Sequence, residues 1–139
     1  MNKINWKLIF QLSLFGLVMA VATIWLIPEN IEYFIWPVIF IICAYIVAKN
    51  APGQYFLHGF LISVVNSVWI SIAHVLFASV YLANHPHMQE MTPAMPLFAQ
   101  HHQRTMMAVL GLPFGAVFGL ILGLFCFIAS KVVKKQPVG

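Results

Sequence analysis

The residues best suited to chemistry crowd into one segment, 84–104. His85, His87, His101 and His102 lie there with Met88, Met91 and Met95, and Met106 and Met107 follow at once. Imidazole and thioether together suit copper, the sulfur favouring Cu(I). The spacing is loose, with no repeated compact ligand box, so the segment also reads as an interfacial one. Met88, Met91, Met95, Leu97 and Phe98 would then dip into lipid headgroups, while Pro93 and Pro96 break any long helix.

A second group of polar residues recurs with helical spacing. At 100° per residue, Ser63, Ser67, Ser71, His74, Ala78 and Tyr81 fall within about 80° of one another, with Asn66 beside the arc. This is a narrow polar face on an apolar helix. It reads as packing glue between helices, or as the lining of a polar path. His74 lies about nine residues from the end of its run, roughly 13 Å deep, and needs a hydrogen-bond partner. His58, close to the other end, is expected at the interface.

The third pattern is structural. Gly111, Gly115, Gly119 and Gly123 recur every four residues and form a nearly straight stripe about 18 Å long. Without side chains, such a stripe lets another backbone approach closely, which drives helix association in lipid. It suits packing against a helix of the same chain or a homo-oligomer through the last span. Other signatures are missing. The sequence holds no phosphate-cradling glycine loop, no HExxH and no nucleophile elbow. Cys43 and Cys126 sit inside apolar runs without metal-site spacing. Neither an enzyme nor a resident cofactor is expected.

The elements that must position these residues follow from composition. Of 139 residues, 62% are hydrophobic and 7% charged, against roughly 25% charged in a soluble domain. So few charges cannot cover a water-facing surface, and the apolar surface must face lipid. Four apolar runs answer the roughly 20-residue length of a spanning helix: about 8–27, 33–48, 55–82 and 105–130. Pro37 falls in the first turn of the second run, with Trp36 and Tyr45 as interfacial anchors. The first run resembles a signal peptide but continues through Trp25, Leu26 and Ile27, so it is expected to stay as a span.

The net charge of +4 implies no nucleic acid, because the charges sit at helix ends. Lys3, Lys7, Lys49, Lys131, Lys134 and Lys135 all share one side of a four-span chain. Arg104, Glu29, Glu32 and Glu90 share the other. Basic residues mark the cytoplasmic side. The expectation is one all-α domain over 1–139, an integral membrane up-down four-helix bundle with both termini cytoplasmic, in a bacterial inner membrane. Short connections should make sequential helices antiparallel neighbours.

Gln54, Tyr55 and Phe56 with Gly59, His85 and Pro86 followed by Glu90 and Met91, and a glycine-rich last span ending in Lys134 and Lys135 carry a resemblance. Over the last 85 residues or so, the chain resembles an uncharacterised family of small four-helix bacterial membrane proteins. That resemblance implies a fold and no activity. Three functions remain open: an accessory, assembly or structural role beside another membrane protein, an oligomeric transporter or channel lined by the third span, and copper binding by the 84–104 segment.

Overall fold

The computed structural model describes residues 4–27 and 29–133, apart from the side chains of Glu29, Met88 and Thr92. Lys3, Lys134 and Lys135, part of the charge pattern above, lie outside the described residues. Among those described, every regular element is helical. They are α1 (Trp6–Trp25), α2 (Glu29–Asn50), α3 (Tyr55–Leu76), α4 (Ala78–Asn84), α5 (Pro86–Met91), a 3-10 turn (Thr92–Ala94), α6 (Leu97–His101) and α7 (Gln103–Val132). Four stretches, Trp6–Trp25, Asn30–Asn50, Tyr55–Leu76 and Gln103–Val132, are long and apolar enough to cross a membrane. Large side chains such as Val18, Phe34, Ile41, Phe114 and Ile128 point outward from them, as lipid contact requires.

Several boundaries depart from the sequence expectation. Helix α2 begins at Glu29, so Pro37 lies in its interior rather than its first turn. The ring removes the N–H that would have bonded the Tyr33 carbonyl. Spanning helices tolerate this because neighbouring helices and local adjustment satisfy the freed group. The third run is not one helix. Phe77, at φ −111° and ψ 29°, separates α3 from α4, and its ring meets Trp25 edge-on at 4.8 Å. The 84–104 segment is mostly helical, punctuated by its prolines: Pro86 opens α5, Pro93 sits in the 3-10 turn and Pro96 caps α6.

Packing does not follow chain order throughout. The largest interface joins α3 to α7, then α1 to α3, then α2 to α7, while α1 touches α2 only slightly. The expectation that sequential helices pack as neighbours therefore holds for α3 and α7, and is corrected for α1 with α2 and for α2 with α3, which touch as little. Small side chains decide the pairing. Gly16 on α1 faces Asn66, and Gly111 through Gly123 on α7 run down α3 from Ser71 to Phe56. Asn5 bonds His58 and Ser13 accepts from Trp69, so α1 runs parallel to α3, while the glycine register makes α3 antiparallel to α7.

The main core joins Leu8, Ile9 and Leu12 of α1 with Phe40, Cys43, Ala44 and Val47 of α2, Ile62 of α3 and Leu122 and Cys126 of α7. Phe40 stands edge-on to Phe118 and Phe125, each at 6.2 Å. Both cysteines are free and fully buried in this cluster, acting as small apolar residues. A smaller cluster of Ala20, Ile24 and Ala73 seals α1 to α3 near the opposite end.

Candidate functional site

The polar face of α3 and the glycine stripe of α7 turn out to be two halves of one seam. Ser71 lies against Gly111 and Ser67 against Gly115. Ser63 donates from Oγ to the Gly115 carbonyl at 3.0 Å, and Ser67 donates to the Val64 carbonyl of its own helix at 2.7 Å. Further along, a Cβ on Gly123 would stand 2.8 Å from the Phe56 carbonyl oxygen, and one on Gly119 3.1 Å from that of Phe60. The serines are thus spent on helix contact, with no room for a lumen between them and α7. Sequence reasoning missed the fifth glycine of the seam, Gly59 on α3. A Cβ on Gly59 would meet the Leu122 carbonyl oxygen at 2.7 Å and the Gly123 Cα at 2.8 Å. Its signal was available: Gly59, Ser63, Ser67 and Ser71 repeat every four residues, as the α7 glycines do.

Where the seam ends, a column of rings begins. His74 of α3 stacks on Tyr81 of α4 at 4.1 Å, and Tyr81 on His85 at 4.0 Å. The break at Phe77 redirects α4 so that these rings line up. His85 is buried to 1% exposure. Its Nδ1 lies 2.8 Å from the Tyr81 carbonyl oxygen. A carbonyl only accepts, so Nδ1 carries the hydrogen, and in a neutral ring Nε2 is then a bare lone pair. That Nε2 is buried without a hydrogen-bond partner, and lies 3.9 Å from Oε2 of Glu32. The other carboxylate oxygen accepts from Trp36 Nε1 at 3.1 Å. Two acceptors thus face each other between α2 and α4. Glu32 and Trp36 were not among the sequence candidates. Glu32 counted only as a connector charge, whereas it belongs to the first turns of α2.

The column is blind. His74 Nε2 is likewise buried without a partner, but the next polar groups down α3 are the serines closed by α7. Asn66 stands apart, its side chain on Gly16 of α1 and its Oδ1 buried without a partner.

The remaining histidines are dispersed. His87 is exposed and 3.6 Å from Glu90. His101 and His102 are exposed, their Nδ1 atoms 2.8 Å and 3.0 Å from the Leu97 and Phe98 carbonyls. Among the described residues no three His, Cys, Asp or Glu gather as a metal set. His85 is withdrawn into the column, Met91 is exposed, and the Met88 side chain lies outside the described residues. Leu97 and Phe98 are among the more exposed apolar residues of the segment, in keeping with an interfacial surface.

His58 corrects another expectation. It is fully buried rather than interfacial. Its Nε2 accepts from the Asn5 backbone N–H at 3.0 Å, and its Nδ1 lies 3.0 Å from the Gln54 carbonyl. Donor and acceptor partners fix a neutral ring with hydrogen on Nδ1. The residue fastens the start of α1 to the start of α3. At the far end of α1, Asn84 Nδ2 donates to the Ile24 carbonyl.

Comparison with known protein families, with curated proteins and with solved structures finds no match.

Proposed function

We propose that this chain is a non-catalytic membrane component, an up-down four-span protein with both termini cytoplasmic, that works as an accessory or assembly partner to another membrane protein. One observation carries the reading. The polar face that could have lined a path is closed by the α7 glycines, and no metal set forms among the described residues. What remains is a tightly knit helical body with an extensive apolar surface. Lys7, Lys49 and Lys131 gather at one end and Arg104, Glu32 and Glu90 at the other, which supports the orientation by the positive-inside rule. The seam is filled within the chain, so a homo-oligomer would use lipid-facing side chains of the last span instead.

Two experiments test this. Purified protein in liposomes is expected to add no proton or cation flux over empty vesicles. A flux abolished by Ser67→Leu would replace the accessory reading with a conduit. Reporter fusions at both termini are expected to read cytoplasmic, and an outside signal at either end overturns the topology.

A further inference from the structure

Helices α1 and α2 do not close on each other at the end that carries Asn5 and Asn50. A cleft of about 410 Å³ opens there, lined by Asn5, Lys7, Leu8, Gln11, Ile46 and Asn50. Its polar atoms are weighted toward donors. Lys7 has three and no acceptor. The Asn5 Oδ1 already accepts from the Leu8 N–H at 3.1 Å, which leaves its NH2 group. Asn50 Nδ2 spends one hydrogen on the Ile46 carbonyl at 2.9 Å and retains the other. Gln11 contributes a further amide. Asn5 also caps α1, so the positive end of that helix lies beside the cleft. Among the described residues no carboxylate lines it, Glu32 lying in the first turns of α2 and Glu90 in α5. A ligand that matches must offer several acceptor oxygens and negative charge. Leu8 and Ile46 give the cleft an apolar wall, which suits an amphiphile over a free ion.

We propose that this cleft binds the phosphodiester headgroup of an anionic phospholipid, with Lys7 as its charge partner and the Asn5, Gln11 and Asn50 amides around the phosphate oxygens. The proposal rests on the four-span orientation, which puts the cleft at the cytoplasmic headgroup level, where anionic lipid attracts basic residues. The site would seat a lipid between two helices that otherwise barely touch.

The test is native mass spectrometry of the full chain in mild detergent, titrated with phosphatidylglycerol, phosphatidylcholine or inorganic phosphate. Phosphatidylglycerol adducts are expected on the wild type, weaker by about fivefold in Lys7→Gln and unchanged in Lys131→Gln. Gln11→Leu should weaken them too, and the thermal midpoints of both variants should match the wild type. Equal retention by Lys7→Gln and Lys131→Gln overturns the site. Equal uptake of phosphatidylcholine overturns the anionic assignment, and displacement of the lipid by inorganic phosphate reassigns the cleft to a free ion. Detergent binding does not depend on membrane sidedness, so failure here is separable from failure of the terminal reporters.

Discussion

His58 and His85 are chemically alike and structurally opposite. Each directs Nδ1 at the carbonyl four residues back, so each presents Nε2 as an acceptor when neutral. At His58 that acceptor meets a backbone N–H and the ring is satisfied. At His85 it faces a carboxylate oxygen and finds no donor. The contrast gives a prediction at His58. His58→Ala leaves the Asn5 N–H without its acceptor and should lower stability by about 1–3 kcal/mol, read as a fall in the thermal midpoint in detergent. The sequence marked His74, Tyr81 and His85 as candidates but could not join them to Glu32. The two lie 53 positions apart, and only the turn at Phe77, unmarked by Pro or Gly, aims one at the other.

At the scale of the element, the seam between α3 and α7 is graded, and so is the prediction. A methyl group on Gly59 or Gly123 runs into backbone, which cannot move aside without parting the helices. On Gly111 it meets the Ser71 hydroxyl, which can turn away, and the Ser71 Cβ at 3.1 Å, which needs to give by only a few tenths of an ångström. Gly59→Ala and Gly123→Ala should each destabilise by about 1–3 kcal/mol, the range for overpacking. Gly111→Ala should be near neutral, because helix propensity gains up to about 1 kcal/mol in return. Thermal unfolding of the three variants in detergent gives the order, and a Gly111 variant as damaged as Gly123→Ala would refute the registered seam. Four spans and the glycine stripe were legible from hydropathy and spacing alone. The partner of the stripe was legible too, in the matching four-residue repeat on α3, had serine been read as small rather than polar. Helix ends were less so: Pro37 looked like a first-turn residue because Glu29 and Glu32 were assigned to the connection.

For the whole molecule, segregation of charge is what supports the proposed orientation. Lys49 and Lys131 lie over the rings of Tyr45 and Phe127, at 4.8 Å and 5.4 Å from the centroids, so aromatic side chains and cations share that level, as they do at membrane interfaces. Changing Lys7 and Lys49 together to Gln should weaken the bias without touching the core, and terminal reporters should then give a mixed population. Uniform cytoplasmic signal from the double variant would shift the weight of the bias onto the lysines that follow the last span.

The order of contacts also has a meaning in time. During synthesis α2 leaves the ribosome well before α7, yet α7 is the helix it grips most. Through the interval in which α3 to α6 are made, the Phe40, Cys43 and Val47 face of α2 lacks its main partner and has only its smaller contacts with α1 and α3. Helix α1 can already dock on α3 at that stage, through the Asn5–His58 bond and the Gly16–Asn66 contact. The last helix must dock on both sides at once, its glycines on α3 and its Leu122 and Cys126 edge on α2. A chain stopped before α7 would be stranded with two open faces, a form for membrane proteases to clear.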